Sequence, residues 1–366
     1  MDKKKILIIH PTIAPYRIDF FNDLCEAFDV RILLQFWNLK DQTFDYDKIY
    51  SQFKFVPEYL PEGSPLKACR AIKRVVREFR PDIILTSEYG LFTLYSFFLT
   101  RLGAARGAGL VVMTDDSFDM VSGRNEFTAI HRFARAMMSR IIDGVVVCDP
   151  KVLPYYRTRR CRAFCFPIIV DERKAVPRYE RILPLSRELA EKYDIYGRRV
   201  LLFVGRLVQV KNLRRVIEAF GQSDTDAVLV IVGDGKEGDA LRECASRISK
   251  KVIFTGRLEG DELYAFYNIA QVFILASTVE PFGAVTNEAL LAGCRVVVSR
   301  RAGFAALVDE SNGETVDPYD SARIAEAIDR QFALSRTPDL SGTRGSGMTI
   351  RYETLIEDFK EFLQKL

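Results

Sequence analysis

The sequence predicts an α/β protein made of two successive Rossmann-like, doubly wound parallel sheets. Short apolar runs alternate with helically spaced stretches over about residues 6–148, and the same alternation restarts over about 200–299. A charged, proline-containing stretch at about 167–199 interrupts the rhythm. A chain of 366 residues is also too long for one ordinary core and suits two domains.

In the first half, Ile6–Ile9 is a continuous apolar run, as a parallel strand covered on both faces requires. A helix over Arg17–Phe28 and a strand over Val30–Gln35 follow. Leu66–Phe79 is a basic amphipathic helix that stops before Pro81, and Ile83–Thr86 is a strand. Gly90–Leu102 reads as an apolar helix, Leu110–Met113 as a strand, Phe127–Ile142 as a helix and Val145–Cys148 as a strand. Pro167–Arg199 is expected to be a connection with one short helix. In the second half the strands are Val200–Val204, Ala227–Val232, Val252–Phe254, Val272–Leu275 and Arg295–Ser299. Between them come helices over Leu213–Phe220, Lys236–Ser246, Asp261–Asn268 and Val285–Ala292. A Gly/Ser/Thr-rich stretch, Ser341–Ser346, reads as a hinge or crossover into a last amphipathic helix at about 350–366. The expected domains are 1–170, 171–345 and a crossover helix, 346–366. In such folds ligands bind off the carboxyl ends of the strands, and two facing halves would enclose a ligand in the cleft between them.

The hydrophobic and charged fractions, 48% and 28%, are those of an ordinary globular chain. The net charge of +4 is uneven. Residues 1–170 carry 25 Lys+Arg against 19 Asp+Glu (+6), and residues 171–366 carry 28 against 30 (−2). The positive half is compatible with an anionic acceptor or a membrane surface. It is too weakly charged for nucleic acid, and no RNA- or DNA-binding signature accompanies it. The seven cysteines are odd in number and irregularly spaced, as in a cytosolic protein with reduced thiols, and Cys161 and Cys165 lack partners for a metal site. No apolar run is long enough for a signal peptide or a spanning helix. The expected location is therefore cytoplasmic, with peripheral contact at the inner face of the membrane left open.

The strongest chemical signal is Glu280-Pro-Phe-Gly-Ala-Val-Thr-Asn-Glu288, between the strand Val272–Leu275 and the helix that begins at Val285. Its glycine permits close backbone approach, and a helix start offers amides to a phosphate. The two carboxylates suit neutral hydroxyls, one set on a sugar and another on a ribose. Read singly, Glu280 is more readily an exposed loop acid and Glu288 a solvated helix acid; their context reverses that reading. Arg206 and Lys211 at the carboxyl end of the strand Val200–Val204 are placed to hold a diphosphate. Gly233-Asp-Gly235 and Gly256-Arg-Leu258 end two further strands.

Together, Gly205-Arg206-Leu207, Lys211-Asn212, Gly233-Asp234-Gly235, Ser277, Glu280-Pro-Phe-Gly283, Glu288-Ala-Leu and Gly293 resemble the retaining GT-B glycosyltransferases of family 4, group 1 type, over about residues 200–320. The first half resembles them only through His10-Pro11 and Pro15-Tyr16-Arg17. The resemblance implies a GT-B fold in which the last helix returns to the first domain. It also implies hexose transfer from a UDP- or GDP-sugar to a glycan or lipid-linked saccharide in cell-surface polysaccharide synthesis, with no metal required. By position, Arg206 and Lys211 would neutralise the diphosphate, and Phe282, Gly283, Ala284 and Val285 would meet the phosphate and sugar. Glu280 would hold the sugar hydroxyls, Glu288 the ribose, and Arg257 and Leu258 would meet the base.

The sequence departs from that pattern in two places. Pro11–Tyr16 lacks the glycines of many relatives, and Met113-Thr-Asp-Asp-Ser117 stands where many have a histidine. Asp115 could accept the acceptor's proton or cap the next element. His10 borders the loop, whereas His131 reads as structural. Tyr16 and Arg17 are the expected acceptor-binding residues, with Glu88 and Arg124 on nearby loops. The helix Leu66–Phe79 and the group Arg157, Arg159, Arg160, Arg162 could meet lipid headgroups or be solvated. The alternatives are a non-catalytic GT-B subunit, a sugar-nucleotide epimerase and a nicotinamide dehydrogenase. The epimerase lacks its acid–base set, and the dehydrogenase lacks the full spaced-glycine fingerprint.

Overall fold

The computed structural model describes residues 3–38, 46–116, 118–122, 129–157 and 161–366. The chain divides into two compact units, Met1–Ile168 with Glu353–Leu366, and Ile169–Tyr352.

In the first unit the strands are β1 (Lys5–His10), β2 (Asp29–Leu34), β3 (Glu58–Tyr59), β4 (Ile83–Ser87), β5 (Gly109–Thr114), β6 (Gly144–Val147) and β7 (Arg162–Cys165). They form one parallel sheet in the order β3-β2-β1-β4-β5-β6-β7. The interior strands are apolar on both faces because helices cover both: Ile6, Leu7, Ile8, Ile84, Val111 and Val145 are fully buried. The helix Tyr352–Gln364 closes this unit. Phe359 lies 5.3 Å from the Phe20 and Phe164 rings and 5.5 Å from Phe166. Lys4 donates to the Leu363 carbonyl at 3.3 Å.

The second unit has β8 (Val200–Val204), β9 (Val228–Val232), β10 (Val252–Gly256), β11 (Val272–Leu275), β12 (Arg295–Ser299) and β13 (Gly313–Val316), in the order β10-β9-β8-β11-β12-β13. In both sheets the order reverses beside the first strand, at β1/β4 and at β8/β11. Such a reversal opens a crevice at the strands' carboxyl ends.

The structure adds to the sequence reading in four places. Two ten-residue helices, Glu172–Arg181 and Leu183–Lys192, replace the single short one expected in 167–199. The edge strands β3, β7 and β13 and the helix Ser321–Ala333 are new. The helix expected from Phe127 is described from Ala129. The stretch Ser341–Ser346 is pinned rather than hinge-like: Arg344 donates to the Ala270 and Tyr267 carbonyls at 2.6 and 2.8 Å. Those carbonyls end the helix Gly260–Ile269, where a cation satisfies the unpaired acceptors and the helix dipole. All seven cysteines are free thiols.

Candidate functional site

The site of the second unit is built from the loops that follow β8 and β11, the two strands at the reversal. Asn212, held in the left-handed region at φ 59°, donates to the Ala276 carbonyl at 3.0 Å and the Pro318 carbonyl at 2.7 Å. Thr278 N–H donates to the Val210 carbonyl at 2.8 Å. These bonds tie the two loops together. Lys211 Nζ then donates to Glu280 Oε2, with only 17% and 10% of the two side chains exposed. Ser277, fully buried, donates to the same carboxylate oxygen at 3.3 Å. The loop backbone is tightly set. Gly283 is buried at φ 96°, and a methyl group there would come 2.7 Å from Leu275. Behind it Phe282 packs edge-on to Phe304 at 5.4 Å. Among the described residues no acceptor receives the N–H of Gly283, Ala284 or Val285. Arg206 is exposed on the β8 loop, and its side chain meets no partner among the described residues.

Glu288 lies one turn into the helix Val285–Leu291. Tyr267 donates to its Oε2 at 2.8 Å and Tyr264 to its Oε1 at 3.2 Å. The Tyr179 hydroxyl donates to the Glu288 carbonyl at 2.8 Å, and the Arg178 guanidinium sits 3.8 Å from the centre of the Tyr264 ring. Loss of hydration raises the Glu288 pKa, against which the two tyrosines and Arg178 hold it down. The tyrosines were missed by sequence reasoning. They sit three apart in the helix Gly260–Ile269, a spacing that reads as core packing. Arg257 and Leu258 follow β10, with Arg257 exposed and paired with Glu259 at 2.9 Å. No described contact joins them to Glu280 or Glu288.

In the first unit the corresponding crevice is lined by the loops after β1, β4 and β5. Arg17, 8% exposed, donates to Asp115 Oδ1 at 2.8 Å. Asp115 N–H donates to Glu88 Oε1 at 3.0 Å and Thr114 donates to Glu88 Oε2 at 3.2 Å. Asp115 is thus held in place by both a cation and a carboxylate. Beside it, buried Asp116 accepts from Arg135 at 2.8 Å and from Tyr156 at 3.3 Å. Glu88 sits at φ 59°, and loss of hydration, with the charge of Asp116 next, raises its pKa to about 7. His10 is held down to about 4, chiefly by burial and then by Arg17, so it is neutral at pH 7. Tyr16 is half-buried in the same loop. Ser117, Arg124, Arg159 and Arg160 lie outside the described residues, as do the side chains of His131 and Arg157. Among the described residues no group of three or more His, Cys, Asp or Glu is placed to hold a metal ion.

One prediction arises from Glu88. A carboxyl whose folded pKa lies above its unfolded value binds its proton more tightly when folded. Its contribution to stability is full below about pH 4.5 and is lost as pH rises through about 7. Chemical denaturation from pH 4.5 to 8 should show this decline in the native chain. A flatter profile is expected for Glu88→Gln, and an unchanged profile would refute the assignment.

Residues 186–339 match the family model described as glycosyl transferases group 1. Through this segment the chain is similar to the group 1 glycosyl transferases. It is 37% identical over 137 residues to an uncharacterized glycosyltransferase, MJ1607, of Methanocaldococcus jannaschii, which spans 36% of this chain and 35% of that protein. It is 29% identical over 267 residues to a GDP-mannose-dependent alpha-mannosyltransferase of Corynebacterium glutamicum, covering 71% of this chain and 60% of that one. The chain therefore spans between about a third and three-fifths of these curated relatives. The crystal structure of Anabaena Alr3699/HepE in complex with UDP superposes with a TM-score of 0.77 at 18% identity, over 99% of this chain and all of that one. That likeness shows the fold: two Rossmann-like domains of the GT-B kind. Lys211, Glu280 and Glu288 all fall in the matched segment.

Proposed function

We propose that the chain transfers a hexose from a nucleotide-diphosphate sugar, UDP- or GDP-linked, to a hydroxyl of a glycan or lipid-linked saccharide, with retention of configuration, in cell-surface polysaccharide synthesis. The observation that carries this reading is the convergence of the β8 and β11 loops on the Lys211–Glu280 pair at the sheet's reversal. In the resting chain each of the two neutralises the other. A bound donor would draw Lys211 to its diphosphate and leave Glu280 to accept from sugar hydroxyls. Arg206 would add the second cation, so that charge growing on the leaving group meets groups already in place. The reading assigns that charge to side chains and calls for no metal.

Glu288 would hold the ribose, Arg257 and Leu258 would lie near the base, and the amides from Phe282 to Val285 would meet the phosphate and sugar. The first unit would serve the acceptor, with Tyr16 and Arg17 in the loop and Asp115 as the group that receives its proton. We assign a cytoplasmic location with peripheral contact at the inner face of the membrane, although no described helix is long and apolar enough to cross one. Lys73, Arg77, Arg80 and Arg106 border one recess of about 740 Å³. Leu91, Leu94, Phe98 and Leu102, exposed along one face of the neighbouring helix, add apolar contact.

Donor-dependent release of nucleotide across a panel of UDP- and GDP-sugars tests the activity. Binding without turnover for every donor and acceptor offered would instead indicate a non-catalytic subunit. Removing one donor from Glu288 should weaken nucleotide binding without unfolding the chain. For Tyr267→Phe a loss of roughly tenfold to a hundredfold in nucleotide affinity is expected, the value of one hydrogen bond to a charged group. Calorimetric titration with UDP and GDP measures it, and an affinity within twofold of native would remove Glu288 from the nucleotide site.

A further inference from the structure

The chain has one tryptophan, and it is not in a core. Trp37 is 47% exposed, three residues beyond the carboxyl end of β2. Its backbone is fixed against the β1 loop: Phe36 N–H donates to the Pro11 carbonyl at 2.9 Å and Thr12 Oγ1 donates to the Trp37 carbonyl at 3.3 Å. The indole stacks on Tyr50 at 5.9 Å with planes 26° apart and lies 5.3 Å from Tyr59 at the end of β3. Tyr50 and Tyr59 are themselves 36% and 39% exposed. The rings are braced from behind: Tyr50 packs on Phe53 at 5.5 Å, and Phe53 stacks on Phe55 at 4.8 Å. A partly exposed aromatic cluster at the carboxyl ends of parallel strands has the position of a ligand site rather than of a core.

We infer that Trp37, Tyr50 and Tyr59 form a stacking platform for a pyranose ring of a saccharide acceptor. This rests on the reading of the first unit as the acceptor side. The chemistry selects the ligand. An indole face carries negative charge density that attracts the electropositive C–H bonds on one face of a sugar ring. The sugar's hydroxyls need polar neighbours at the rim, and the two phenols supply them. Among the described residues the charged pair next to Tyr59 is closed, Arg31 with Glu58 at 2.7 Å. The platform therefore favours the saccharide portion of the acceptor over its lipid.

The single tryptophan reports directly on this site. Its emission is followed while the full chain is titrated with methyl α- and β-hexopyranosides and with disaccharides of glucose, galactose and mannose. A saturable change with at least one sugar is expected. Tyr59→Ala should weaken that sugar by roughly tenfold, the value of one lost stacking contact, whereas Tyr59→Phe, which keeps the ring, should stay near native. Calorimetric binding of UDP or GDP is measured in parallel on each variant. Nucleotide binding with no response to any sugar would overturn the platform alone. Absence of both would overturn it together with the transferase reading. Sugar binding unchanged in Tyr59→Ala and Tyr50→Ala, or a response only to phosphatidylglycerol-containing vesicles, would also overturn it.

Discussion

Lys211→Ala should lower turnover by about 10²–10³-fold, the scale of removing one preorganised group that stabilises developing charge. The same change strips a nearly buried carboxylate of its cation, because among the described residues the Glu280 carboxylate retains only the Ser277 hydroxyl. Breaking a buried pair on one side costs about 3 kcal/mol. A fall in activity could therefore come from a weakened fold. The double variant Lys211→Met/Glu280→Gln separates the two effects. With both charges gone and the volume kept, stability should return close to native while turnover stays low. Denaturant titration and initial rates on both proteins check this. Native-like rates in Lys211→Ala would take the pair out of the chemistry. A double variant as unstable as the single would show that the pair contributes more to folding than burial of two opposite charges allows.

The second large effect is expected at Gly233, which ends β9. Its φ of 145° suits glycine, and a methyl group added there would lie 1.9 Å from the Gly205 carbonyl oxygen, a backbone atom with no room to retreat. Gly233→Ala should therefore destabilise the second unit by about 4 kcal/mol or more, the range reached when strain and overpacking combine. The clash falls on the carboxyl ends of β8 and β9, where Gly205 N–H donates to the Val232 carbonyl at 3.0 Å. Thermal unfolding measures the effect. An alanine variant that melts within a few degrees of native would mean that the two strand ends separate freely.

The sequence made the interior of both sheets and the edge strand β10 legible and left the edge strands β3, β7 and β13 obscure. Val200–Val204 and Val272–Leu275 read as strands because burial on both faces demands unbroken apolar runs. The edge strand Gly313-Glu-Thr-Val316 is half exposed and carries a glutamate, so its composition resembles a loop. Arg162–Cys165 was hidden for the same reason. In the site, the residue types were readable from their place at strand ends. Their pairing was not, since Lys211 and Glu280 are 69 residues apart and meet only through the loop-to-loop bonds of Asn212 and Thr278. Tyr264 and Tyr267 escaped notice because their hydroxyl partner lies on another helix.

The first unit takes its covering helix from residues 353–366, which the ribosome makes only after the whole of the second unit. Until then Phe20, Phe164 and Phe166 have no Phe359 to pack against. The half translated first is thus the half completed last, and the later-made, contiguous half can finish folding while its predecessor still waits for its own tail.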